Sequence, residues 1–74
     1  DKEWNTIKGG YAREYGTKSQ FEDVATVTEE AVLSFLDGRD PGTIVPFDGN
    51  REAFRAKLKL LKKYGFFPPA LMVY

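Results

Sequence analysis

The chain has neither cysteine nor histidine in its 74 residues. Without cysteine there is no disulfide and no thiolate ligand. Without histidine the commonest metal ligand and the commonest general base at neutral pH are both gone. The two absences together exclude a Ser-His-Asp triad, a Cys-His pair and a two-histidine zinc motif within this chain. An excess of one charge is also missing. Lysine plus arginine number 11 and aspartate plus glutamate number 11, so no long-range field draws the chain to nucleic acid or anionic lipid. Apolar runs are short. No stretch approaches the roughly 20 residues of a membrane helix, and no secretory signal is visible. The chain opens at Asp1 without a methionine, which leads us to expect a processed start or a piece of a longer polypeptide. The expectation is a soluble chain with no membrane span and no nucleic-acid partner, its compartment open and export included.

What is present is enough to fold. Hydrophobic residues make up 42% of the chain, with one tryptophan, four tyrosines and six phenylalanines, too many for a disordered tail. Seventy-four residues make at most one domain, and a unit this small buries only about 60% of the surface its unfolded chain exposes. Trp4, Tyr11, Tyr15, Phe66, Phe67 and Tyr74 stand outside the strong helical patterns. Such aromatics pack onto the helices or onto a body of protein beyond this chain.

Two helices are predicted. Ser19-Gln20-Phe21-Glu22 is a capping box, a serine followed three residues later by glutamate. Asp23 adds negative charge in the first turn, where the helix dipole favours it. Phe21, Val24, Val32 and Phe35 recur at amphipathic spacing, and Asp37-Gly38 ends a helix over about 20–37. Thr26-Val27-Thr28 is a β-branched weak spot, with Thr28 a possible second start. Asp40-Pro41-Gly42 is a turn, and Thr43 to Phe47 a short extended run. Asp48 or Asn50 caps a second helix over about 51–64, with Ala53, Phe54, Leu58, Leu61 and Tyr64 apolar. Arg51, Lys57, Lys59, Lys62 and Lys63 lie on its other, solvated face. Residues 1–18, interrupted by Gly9-Gly10, read as loop with one short turn at most. Phe66-Phe67-Pro68-Pro69 reads as an extended exit. The fold class is mainly α, with two principal helices, aromatic-rich loops and extended termini. Residues 1–74 form a single small unit, and the helices are expected to pack through Phe21, Val24, Val32, Phe35, Phe54, Leu58 and Leu61.

Few residues could carry chemistry. From the pattern alone Glu22 reads first as a capping residue, and Glu22, Glu29 and Glu30, on similar sides of the helix, as a solvated acidic stripe without the loop geometry calcium needs. The lysines of the second helix read as an ordinary charged face, and Thr43 to Phe47 as a possible edge strand for a partner's sheet.

From Gly10 to Thr28 the chain runs Gly-Tyr-Ala-Arg-Glu-Tyr-Gly-Thr-Lys-Ser-Gln-Phe-Glu-Asp-Val-Ala-Thr-Val-Thr. This resembles the segment that follows the His-Glu-x-x-His helix in lethal-factor-like and related zinc-binding metallopeptidases. Their loop carries Ser/Arg-x-Tyr-(Ala/Gly), and Glu-Asp-Phe-Ala-Glu opens the next helix. The resemblance implies that Glu22 is the third protein ligand of zinc and that Tyr15, seven residues earlier, helps to stabilise the oxyanion. Asp23, Val24 and Ala25 match Asp-Phe-Ala, with valine for phenylalanine. Thr26 stands where those families place a second acid that supports the site, so that support differs here.

Two readings follow. In the first the chain is the C-terminal part of a zinc metallopeptidase domain, inactive alone, with zinc held only in the parent protein and the rest of the parent domain as its partner. In the second it is a stand-alone helical interaction module without catalysis, binding a protein through Phe47, Phe66, Phe67 and Pro68-Pro69. A complete enzyme using only carboxylates and tyrosine is a weaker third, since so short a chain leaves little room for a cleft.

Overall fold

A computed structural model describes residues 2–66 and is mainly α-helical. A short helix α1 (Lys2–Asn5) leads through the glycine pair to a 3-10 turn (Glu14–Lys18). Helix α2 (Gln20–Leu36) follows, then a second 3-10 turn (Pro41–Thr43) and helix α3 (Arg51–Lys63). Among the described residues there is no strand, and no helix is long and apolar enough to cross a membrane. The N-terminus is therefore helical rather than extended, and Thr43 begins no strand. The extended exit expected at Phe67-Pro68-Pro69 lies outside the described residues.

The helix ends follow the local chemistry. Ser19 Oγ accepts from the Glu22 amide at 3.1 Å, and Asn50 Oδ1 from the Ala53 amide at 3.1 Å. Each satisfies one of the orphan donors of a helix start. Asn50 rather than Asp48 is the second cap. Both long helices end in a Schellman motif: Arg39 N–H bonds Ser34 O after Gly38, and Phe66 N–H bonds Leu61 O after Gly65. Asp40 closes the second 3-10 turn by accepting from the Gly42 amide at 2.8 Å.

The core consists of Trp4, Val27, Ala31, Phe54, Leu58, Leu60 and Leu61, with Ile7, Ala12, Val24, Val32 and Ile44 packed against it. Here the expected face of α2 needs correction. Phe54, Leu58 and Leu61 are inside and Val24 and Val32 pack against the core as expected, and Phe35 is half-buried, but Phe21 is 77% exposed, and the fully buried residues of α2 are Asp23, Thr26, Val27 and Ala31. The helix carries two stripes, 23/27/31 and 21/24/28, each at i, i+4 or i+3 spacing. Trp4 from α1 and Lys57 from α3 give the first stripe partners for its aspartate, and that decides which stripe turns inward. The β-branched Thr26-Val27-Thr28 run does not interrupt the helix, because burial of Val27 outweighs a propensity cost of a few tenths of a kcal/mol per residue.

Lys57 is the second correction. It is completely buried rather than solvated. Its Nζ donates to Asp23 Oδ2 at 2.7 Å and to Gly10 O at 3.4 Å, and stands 4.2 Å from the Tyr11 ring centroid and 5.6 Å from that of Trp4. Trp4 Nε1 donates to the same Asp23 oxygen at 2.7 Å. Three elements far apart in sequence are thus fastened at one carboxylate. Glu29 and Glu30 are also engaged, both paired with Arg13.

α1 is tied to the end of α3 by a smaller, exposed cluster. Glu3 accepts from Tyr64 Oη at 2.7 Å and Lys63 Nζ at 3.1 Å. The Tyr64 hydrogen bond, then that of Lys63, hold the Glu3 carboxyl below its ordinary value, and the same bond raises Tyr64. A depressed carboxyl stabilises the fold above its unfolded pKa, and that contribution is lost as pH falls through the folded pKa. Tyr64→Phe is expected to move the Glu3 pKa back up toward 4.5, read from the side-chain carboxyl shift in an NMR titration. An unchanged Glu3 titration would contradict the contact.

Candidate functional site

Tyr15 and Glu22 are carried by neighbouring pieces of chain. Tyr15 lies in the first 3-10 turn and is 59% exposed. Glu22 lies in the first turn of α2 and is half-buried. The turn packs directly on α2, and the contact between them is close. A Cβ built on the buried Gly16 would stand 3.0 Å from Thr26 Oγ1 and 3.5 Å from Asp23 Cα. A side chain at Gly16 would make a tight contact with the Thr26 hydroxyl, so the glycine eases the close approach of the turn that bears Tyr15 to the helix.

Only half of the capping box is formed. Ser19 accepts from the Glu22 amide, while the Glu22 carboxylate makes no hydrogen bond or ion pair among the described residues. The cap and a second role for the carboxylate therefore do not compete. Thr26 donates its hydroxyl to the carbonyl oxygens of Glu22 at 2.8 Å and Asp23 at 3.2 Å. Its effect is on the backbone of the first turn. A glutamate at this position, buried and packed on Gly16, would have to displace that turn.

Asp23 fixes the direction in which Glu22 points. Adjacent residues project about 100° apart around a helix. With Asp23 locked to Trp4 and Lys57 in the interior, the rotation of α2 is set and Glu22 is held to one side of the core. Glu29, Leu33 and Leu36 share that flank at i+7, i+11 and i+14, and Leu33 and Leu36 are exposed. The flank thus combines one free carboxylate with uncovered apolar surface. Arg13, two residues before Tyr15, pairs with Glu29 at 2.6 Å and with Glu30, and the Glu30 hydrogen bond chiefly raises its pKa.

Sequence reasoning singled out Tyr15, Glu22 and Thr26 but missed Asp23, Lys57, Trp4 and Gly16 as the parts that position them. Gly16 had a visible signal, a glycine three residues before the cap of a helix. Lys57 had none, because its spacing suits either face of α3. Among the described residues no three acidic side chains converge as a metal-holding group; a chain that contributes one ligand forms no such group by itself. No family model matches the chain, and no curated protein or solved structure matches it either.

Proposed function

We propose that the chain is the C-terminal part of a zinc metallopeptidase domain, in which Glu22 supplies the third zinc ligand and Tyr15 an oxyanion-stabilising hydroxyl. The observation that carries this reading is the Glu22 carboxylate, without a hydrogen bond or ion pair among the described residues, at a helix start whose capping is already satisfied by Ser19. Catalytic zinc takes three protein ligands and keeps one position open, and a carboxylate with no other partner among the described residues is a suitable donor. The metal's contribution is Lewis acidity toward the bond to be cleaved. The chain's own contribution is positional. Asp23 sets the rotation of α2, Ser19 and Thr26 brace the first turn, and Gly16 holds the Tyr15 turn against it. Tyr15 can donate to a carbonyl oxygen as negative charge develops there. The uncovered flank of Glu22, Leu33 and Leu36 suits packing against the part of the domain that supplies the remaining ligands.

The test is the polypeptide in its source. It is expected to carry His-Glu-x-x-His roughly 20–60 residues before Tyr15 and to bind one zinc ion. In that protein Glu22→Gln should weaken zinc by more than the roughly 10–100-fold typical of losing an outer-sphere partner. Tyr15→Phe should lower kcat about 100- to 1,000-fold with zinc content unchanged. A mature protein of 8.4 kDa, with no histidine pair, would overturn the reading. The alternative, an interaction module without catalysis, would then take its place, favoured by the exposure of Phe47 and Phe66.

A further inference from the structure

Asp23 is 4% exposed, and its two carboxylate oxygens are used unequally. Oδ2 accepts from Trp4 Nε1 and from Lys57 Nζ, each at 2.7 Å. Oδ1 is buried and accepts no hydrogen bond among the described residues. A buried acceptor left unmet is costly, the more so when it carries charge. This oxygen lies beside Gly16, where a built Cβ would stand 3.6 Å from it. Gly16 and Asp23 both line a recess of about 220 Å³ between α1, the first 3-10 turn and the start of α2. Trp4 shares its buried floor, and the exposed Lys8, Thr17 and Ser19 form its rim.

We propose that this recess binds a primary carboxamide, whose N–H donates to Asp23 Oδ1 and whose carbonyl oxygen accepts from the rim. Charge narrows the choice first. The Asp23 charge is already met by Lys57 at 2.7 Å, and Lys8 adds a second positive group at the rim, so a cation gains little here. An anion would set acceptor against acceptor at the floor. A neutral group with a donor remains. The rim then asks that group for an acceptor. Ser19 Oγ accepts from the Glu22 amide and keeps its own hydrogen to give. The Lys8 ammonium and the Gln20 side-chain amide are further donors along the lining. A primary amide carries both halves on one planar group. Size agrees. The recess is several times the roughly 30 Å³ share of one water and below the roughly 300–1,000 Å³ of sites for drug-sized ligands. It suits a group of side-chain dimensions. Such a group comes from a free small amide or from an asparagine or glutamine side chain of another polypeptide.

The proposal stands apart from the zinc reading, because neither Tyr15 nor Glu22 lines the recess and its test needs no metal.

Replacing Asp23 threatens the fold, so the test varies the ligand. The 74-residue chain is titrated with acetamide and followed by NMR. The Gly16 amide and Trp4 indole N–H signals should shift saturably, with a Kd in the millimolar range for so few atoms. The acetamide methyl should show cross-relaxation to the Gly16 Hα protons. Acetone, which keeps the carbonyl and lacks the N–H, should bind about 10- to 100-fold more weakly, the worth of one hydrogen bond to a charged acceptor. N-acetylglutamine methylamide carries the same amide on a residue. Tighter binding than acetamide would identify a polypeptide side chain as the source, and equal or weaker binding a free amide. Shifts that stay linear in acetamide would overturn the proposal. So would acetone binding as tightly as acetamide, or cross-relaxation of the Gly16 protons to water alone.

Discussion

Asp23→Asn is expected to destabilise the fold by about 3–5 kcal/mol, the cost of leaving one buried charge without its partner. Asparagine keeps the shape and can still accept from Trp4 Nε1, so the substitution isolates the charge. Lys57 is fully buried, and its ammonium has Asp23 Oδ2 at 2.7 Å as its only paired anion among the described residues. The Gly10 carbonyl at 3.4 Å and the rings of Tyr11 and Trp4 remain, and they offset part of the loss but supply no full charge. A domain of this size has a total stability of about 4–11 kcal/mol, so the variant should be close to unfolding at 25 °C. The urea midpoint should fall by roughly 3–5 M for a slope near 1 kcal/mol/M. Lys57→Met alone should be comparably costly, for the opposite orphan. The double variant should recover much of the loss, because removing both charges removes the desolvation penalty as well. Additive losses in that cycle would show that the two groups do not stabilise each other. Since Asp23 also sets the rotation of α2, the variant should disturb the presentation of Glu22 before it touches any chemistry.

The second large effect is expected at Gly10. Its φ is +72°, and a Cβ there would stand 2.4 Å from Phe54 N and 2.6 Å from Ala53 C, both backbone atoms that cannot swing aside. The Gly10 amide donates to Asp48 Oδ2 at 2.8 Å, and its carbonyl accepts from Lys57, so the segment is held from both sides. Left-handed geometry costs a non-glycine residue about 1–2 kcal/mol, and forced overpacking a further 1–3 kcal/mol. Gly10→Ala should therefore lower Tm by about 8–40 °C at roughly 4–8 °C per kcal/mol. Gly38→Ala is the matched control. Its φ of +77° carries the same backbone cost, and nothing lies within 4 Å of its Cβ. The difference between the two variants measures the close approach of the 10–11 segment to α3. Equal losses would mean that α3 can move away.

The sequence carried the local events accurately. Ser19 and Gly38 bound α2, Asn50 and Gly65 bound α3, and Asp40-Pro41-Gly42 makes a turn, each within a residue or so of expectation. Caps and turns depend on a side chain and a backbone group only a few residues apart, so they can be read from a window of that length. The short elements at Lys2–Asn5 and Glu14–Lys18 were not readable in this way. They have no amphipathic period of their own and exist because α2 and α3 offer them surface.

The candidate site divides along the same line. Glu22 at the third position after a serine cap, with Tyr15 seven residues before it, was determined by the order of residues alone. Which way Glu22 faces was not. That was decided when Asp23 found Trp4 and Lys57, partners 19 and 34 residues away, and so chose which of two competing stripes of α2 turns inward. A helical pattern records that a residue belongs to a face. Only the packing of three elements around one carboxylate decides which face is inside, because the free energy of burying a charge depends on whether its counter-charge arrives at the same place. The sequence by itself determined the two helices and their ends. The tertiary structure decided the buried ion pair, the exposure of Phe21 and the direction in which Glu22 is offered.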